Sequence, residues 1–240
     1  MPLGRVSEFA TLTAGEREAL GALITDTLEY RRRSPIRYEG APVQHVYLLA
    51  KGWVASSMTL KTGARQFFKV HIPGDILGAP SLASVSAVET LTAITDCTIK
   101  CIPLSRLGSI FAEYPRVGMS LFISANKERI ALMDLLAAVG RLSAIERLAR
   151  FLIDLHDRLL VVGQTEVSRL PMPMTQEEIA DLLGLTAVHV NRMLHELENQ
   201  SLLHRRGKDF ILNLPELQAM NPIASRAYVQ EPSWLPPSRG

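Results

Sequence analysis

The stretch "TAVHVNRMLHEL", Thr186 to Leu197, concentrates two histidines, an asparagine and an arginine among aliphatic residues. Val190, Leu194 and Leu197 repeat at spacings of four and three, the period of a helix face turned inward. Val188, His189, Asn191, Arg192 and His195 then face outward. An exposed arginine in the first half of such a helix has the fork of donors that matches guanine O6 and N7 in a DNA major groove. Arg192 is accordingly expected to read a base, with Val188, His189 and Asn191 beside it and His195 at a phosphate. A metal site is the rival chemistry, but His189 and His195 are six residues apart and point in different directions on a helix; no metal is expected.

Phosphate contacts fix position rather than sequence and are made by hydroxyl, amide and basic groups. Thr175, Gln176 and Thr186 open helices, and Arg205, Arg206 and Lys208 form the basic tip of "HRRGK". These six join His195 as expected phosphate contacts. Arg141 to Met220 holds 9 Lys/Arg against 11 Asp/Glu, so a DNA face must be built from such local clusters rather than from bulk charge.

The remaining reactive residues point to no catalysis. Cys97 and Cys101, the only cysteines, share one face of a strand-like run and read as small buried apolar groups, too few for an iron-sulfur cluster within one chain. His45 and His71 are isolated, which argues against a haem ligand, and with the lone Glu89 they do not make the ligand cluster of a cupin-like enzyme. No catalytic residue and no enzyme activity are expected.

The elements that must position these groups follow from local signals. Ser143 with Glu146 and Thr175 with Glu178 are capping boxes that open helices. The helix from Thr175 ends at Gly184, where the chain turns into the helix from Thr186. Ala180, Gly184 and Val190 supply the close approach, the sharp turn and the buried aliphatic of a helix-turn-helix. Leu148, Phe151, Leu152 and Leu155 form a buried stripe after Ser143. "LHRRGKDFILN" reads as a two-stranded wing.

Upstream, Arg116 to Gly140 is a helix of roughly seven turns. Phe122, Ala125, Leu132, Leu136 and Val139 form one seam, interrupted by Arg129, and Met119, Ile123, Ile130, Met133 and Ala137 form a second. A helix apolar on two sides has two things to bury, its own domain and a partner copy. Gly140 followed by the cap at Ser143 reads as a joint. Residues 36 to 104 alternate short apolar runs with Gly and Pro turns, as in an antiparallel barrel or sandwich, and "TAGEREALGALITDTLEYRRR" before them reads as helical.

At 240 residues, 47% hydrophobic and 21% charged, with net charge +2, the composition is that of a globular protein with two domains. No apolar run spans a bilayer and the N-terminus lacks a signal-peptide core, so the chain reads as cytoplasmic with no membrane partner. The expected organisation is a sensor barrel with an N-terminal helix over residues 1–115, a dimerisation helix over 116–140, a winged helix-turn-helix over 141–220, and a loosely packed Pro/Ser-rich tail over 221–240.

With "YEGAPVQHVYLLAKGWV", "HIPGDILG" and above all "MTQEEIADLLGLTAVHVNRML", the chain resembles the CRP/FNR transcription regulators over almost all its length except the tail. The resemblance implies an α+β chain: an antiparallel jelly-roll barrel of the cyclic-nucleotide-binding type, a long dimerisation helix and a winged helix-turn-helix. It implies a homodimer on double-stranded DNA that works with RNA polymerase, and gives Arg192 the place of the family's guanine reader. A dimer interface of Phe122, Ala125, Arg129, Leu132, Leu136 and Val139 follows.

Two departures stand out. Val188 replaces a glutamate common in the family; it cannot accept a hydrogen bond from cytosine but can pack on a thymine methyl, so the half-site is expected to differ from the familiar ones. In the barrel, no Lys or Arg occurs from Val70 to Ile99, Ala79 stands where the family's ribose-binding glutamate is expected, and Leu132 and Met133 replace hydroxyl residues that reach the adenine. A phosphodiester buried without a cation loses its charge-assisted hydrogen bonds. The candidate effector pocket is therefore Gly78, Ala79, Ser81, Glu89, Thr90, Leu132 and Met133, without conventional cyclic AMP and with no certain cofactor. The alternative function is a nucleotide- or small-molecule-binding regulatory module acting through protein contacts without DNA.

Overall fold

A computed structural model describes residues 7–224 and 226–237. These divide into two compact units: residues 7–58, 69–130 and 227–237 form the first, and 59–68, 131–224 and 226 the second. Residues 1–6 of the expected sensor domain, and Ser225 and 238–240 of the expected tail, lie outside the described residues.

The first unit opens with α1 (Ala14–Ala22), started by Thr13 and Glu16 in a capping box. Eight strands follow: β1 (Asp26–Tyr30), β2 (Pro35–Arg37), β3 (His45–Lys51), β4 (Val54–Thr59), β5 (Arg65–His71), β6 (Ile76–Leu77), β7 (Thr90–Ala93) and β8 (Cys97–Pro103), with a single 3-10 turn at Ala79–Ser81. They form two four-stranded sheets, ordered β1-β8-β3-β6 and β2-β7-β4-β5. Strand periodicity explains the layering. On β3 and β8, Leu49, Cys97 and Ile99 meet Leu77, Val54, Leu91 and Ala93 in the interior between the sheets. Val46, Leu48 and Ile102 turn the other way, onto α1, α2 (Leu104–Glu113) and the start of α3 (Pro115–Arg141), where Leu20, Ile110 and Val117 receive them.

The second unit holds the end of α3, then α4 (Ala144–Val161), β9 (Arg169–Pro171), α5 (Gln176–Leu183), α6 (Ala187–Asn199), β10 (Leu203–Arg206), β11 (Asp209–Leu212) and α7 (Leu214–Met220). Leu148, Leu152, Leu155 and Leu159 of α4 are fully buried, with Ile179 and Leu183 of α5 and Val190, Leu194 and Leu197 of α6 closing the same core. Phe151, expected in the α4 stripe, is only half-buried. Among the described residues no helix is long and apolar enough to cross a membrane.

Several expectations need correction. The helix expected through "ITDTLEYRRR" stops at Ala22, and Asp26–Tyr30 is instead β1, paired antiparallel with β8 from Asp26 opposite Cys101 to Tyr30 opposite Cys97. A strand partner far along the chain outweighs local helix propensity. The wing has three strands, because Arg169–Pro171 adds to β11 in the order β10-β11-β9. The joint expected at 140–143 is where α3 ends: the helix runs through Gly140 to Arg141, and the break lies at Leu142, before Ser143 caps α4. The compact division falls earlier still, between Ile130 and Ala131 within α3. The tail, expected to be loosely packed, carries defined contacts. Glu231 accepts from the Thr11 amide at 2.6 Å and from Arg116, Tyr228 meets Phe9 edge-on with Lys127 above its ring, and Leu235 is buried.

Candidate nucleic-acid interface

The α5–α6 corner is built from local chemistry. Thr175 caps α5 through its side chain and forms the capping box with Glu178. Gly184 ends α5 at φ +65°, a left-handed conformation that costs glycine little. Its amide donates to the Ala180 carbonyl. Arg147 of α4 donates to the Leu183 carbonyl at 3.0 Å, placing a cation at the negative end of α5. Thr186 then caps α6, accepting from the His189 amide at 3.2 Å. Each hydroxyl oxygen is used as an acceptor, and its proton remains available to donate outward.

On the outward face of α6 the expected residues are brought together. Val188 is 81% exposed, and Arg192 is exposed one turn further on. Arg192 Nη2 donates to His189 Nε2 at 2.9 Å. Since arginine only donates, this geometry fixes His189 as the tautomer with its proton on Nδ1. The contact holds the guanidinium over the helix and leaves most of its donors outward. Gln176 Nε2 donates to Asn191 Oδ1 at 3.0 Å, tying the first turn of α5 to α6.

The basic tip divides. Arg206 and Lys208 are exposed beside Gly207, which turns at φ +63°. Arg205 is instead fastened to α6: its Nε donates to Glu198 Oε1 at 2.9 Å and its Nη2 to Glu198 Oε2 at 2.5 Å, with His195 Nδ1 3.2 Å from Nη2. The Arg205 guanidinium holds the Glu198 carboxyl below the usual carboxylate range. A bidentate pair of this kind neutralises Arg205 and anchors the wing. Sequence reading missed it because the pair joins an unremarkable glutamate to the next element.

The expected effector pocket is brought together only in part. Gly78, Ser81 and Glu89 converge on Arg37, whose Nη2 lies 3.1 Å from Ser81 Oγ and 3.5 Å from Glu89 Oε1. The expectation of a barrel without a cation at this place is therefore corrected: Arg37 arrives from β2, outside residues 70–99. Thr90 Oγ1 accepts from the Glu39 amide, and Ala79 lies in the 3-10 turn. Leu132 and Met133 belong to the second unit and are exposed. Cys97 and Cys101 are buried on the interior face, as the spacing of four required. Burial pushes the Cys97 thiol up to about 11, so it carries no appreciable thiolate at neutral pH.

Comparison with known proteins agrees with this geometry. A family model described as the cyclic nucleotide-binding domain matches residues 27–114, and one described as the Crp-like helix-turn-helix domain matches residues 146–220. The transcriptional regulatory protein btr of Bordetella pertussis is 24% identical over 219 residues, 91% of this chain and 90% of its own. The nitrogen fixation regulation protein FixK of Azorhizobium caulinodans is 28% identical over 207 residues, 85% of this chain and 83% of its own. The solved structure of FixK2 from Bradyrhizobium japonicum superposes with a TM-score of 0.74 at 28% identity, covering 83% of this chain and 98% of that one. Barrel, long helix and winged helix-turn-helix together define a DNA-binding transcription regulator. The chain belongs to the CRP/FNR superfamily.

Proposed function

We propose that two copies of this chain pair along α3 and that each presents α6 to the major groove of an inverted-repeat operator, regulating transcription in the cytoplasm together with RNA polymerase. The outward face of α6 is the observation that carries this reading. Arg192 stands exposed and steadied by His189, Val188 projects into solvent, and Val190, Met193, Leu194 and Leu197 are turned into the core. Arg192 reads a guanine, Val188 packs on a thymine methyl, and His189 and Asn191 complete the base contacts. Thr175, Gln176, Thr186, His195, Arg206 and Lys208 hold phosphates, while Arg205 acts through the wing it anchors.

Dimerisation is supported by the first α3 seam. Phe122, Ala125, Arg129, Leu132, Leu136 and Val139 are all exposed in the single chain, and Leu136 is 74% exposed. The barrel is a sensor that does not use conventional cyclic-AMP contacts, since Ala79 occupies the glutamate position and the cation at the pocket, Arg37, comes from β2 and already faces Glu89. No iron-sulfur cluster, haem or metal is assigned to it.

Selection of bound sites from random DNA tests the reading. The chain should enrich a palindrome, and Arg192→Ala should weaken binding to it by about 30-fold or more, because each of the two copies loses a bidentate base contact of about 1–3 kcal/mol. An unchanged footprint with Arg192→Ala would remove the base-reading assignment.

A further inference from the structure

The Arg37 guanidinium is a buried cation with incomplete partners. The residue is 6% exposed and Glu89 is 4% exposed. Their contact is 3.5 Å, long for a charge-assisted hydrogen bond, which normally closes to about 2.7–2.9 Å. Arg37 Nε and Nη1 are both buried without a hydrogen-bond partner among the described residues. Such donors are costly to leave unmade in a low-dielectric interior.

Backbone without a side chain lies against that part of the guanidinium. Gly78, at φ +81°, faces it so closely that a Cβ there would lie 2.9 Å from Nη1. Any side chain at position 78 would cover these donors. Ser81 Oγ accepts from Nη2 at 3.1 Å and from the Val88 amide at 3.2 Å, which fixes the orientation of the guanidinium plane. The Tyr47 ring lies 6.0 Å from Cζ and supplies an aromatic wall. Glu89 directly precedes β7, at the end of a segment in which Leu82, Val85 and Val88 are exposed.

We propose that Arg37 is the anion-binding residue of the barrel, and that its ligand is a small molecule with a terminal oxyanion, carboxylate or phosphate, that takes the place of Glu89. The exchange conserves charge: one negative group leaves the guanidinium as another arrives. It also satisfies the Nη1 donor that Glu89 does not reach. The site deepens the sensor part of the function proposed above and rests on that reading only for its effect on DNA binding. The ligand test is made on free protein, so a failure of DNA reading leaves it untouched.

The full chain in chloride buffer is titrated calorimetrically with acetate, inorganic phosphate and cyclic AMP in separate arms. At least one arm should saturate, and that arm identifies the source of the oxyanion. Glu89→Gln, which keeps the shape but removes the competing charge, should tighten it by about tenfold, since charged partners bind far more strongly than neutral ones. The double variant Arg37→Met/Glu89→Gln replaces the buried ion pair by neutral groups of similar volume and should fold. It should bind none of the three. Circular dichroism of each variant checks the fold. Absence of saturable binding in both wild type and Glu89→Gln, binding that Glu89→Gln fails to strengthen, or binding that survives in the double variant would each overturn the proposal.

Discussion

His71 shows how single side chains decide the chemistry of the barrel wall. Its Nε2 lies 2.7 Å from Ser56 Oγ and its Nδ1 is 3.6 Å from Asp75 Oδ2, while Lys69 bridges Asp75 and Glu128. Burial depresses its pKa most, Lys69 depresses it further, and Asp75 and Glu128 oppose them. The unfolded chain, at about 6.5, therefore binds a proton that the folded chain refuses. Stability contributed by neutral His71 is complete above about pH 6.5 and is lost as pH falls below it, at up to about 1.4 kcal/mol per pH unit for one proton. Urea denaturation at pH 5 and pH 7.5 should show this loss in wild type and a shallower pH dependence in His71→Gln. Equal slopes in the two proteins would sink the assignment. At this scale the outward residues of α6 were legible because a helix face is a local pattern. Arg37 was not, since its partners Ser81 and Glu89 lie 44 and 52 residues away, and no spacing rule joins them.

Elements are specified most clearly where their ends carry side-chain chemistry. Ser143, Thr175 and Thr186 begin helices as their types require, because a cap is a contact over three residues. Three-residue β9 and seven-residue α7 carry too short a pattern to be seen. The ten residues of α2 were passed over between the expected barrel and the long helix. Glycine shows the same limit, since its freedom is visible in sequence but its use is not. Gly184 takes φ +65°, whereas Gly140 lies inside α3, and a Cβ would meet nothing within 4 Å at either place. Gly184→Ala should therefore destabilise by about 1–2 kcal/mol through backbone strain alone. Gly140→Ala should stabilise by about 0.4–1 kcal/mol through lost freedom in the unfolded chain. Chemical denaturation of the two variants checks the opposite signs. A stabilising Gly184→Ala would mean that the corner does not need the left-handed residue.

At the level of the whole molecule, the question is what covers α3. Its second seam is partly served within the chain: Met119, Ile123 and Ile130 are half-buried, and Val117 and Ser120 are fully buried. The first seam has no such cover among the described residues, with Phe122 59% and Leu132 51% exposed. An apolar stripe on a helix of 27 residues, about 40 Å long, is larger than scattered surface hydrophobics account for. A second copy meeting it about a two-fold axis would bury the same residues on both sides, the simplest closed arrangement for a self-complementary patch. Leu132→Glu with Leu136→Glu places four carboxylates in that seam across the two copies. Each would be desolvated beside like charge, so the pair should dissociate. Analytical ultracentrifugation at micromolar concentration should give a dimer for wild type and a monomer for the double variant. The monomer should lose affinity for the full palindrome while keeping weak contact with an isolated half-site, because α6 and its capped corner are untouched. Loss of half-site binding as well would mean that pairing is needed to form the reading surface itself, and a double variant that still sediments as a dimer would move the interface away from α3.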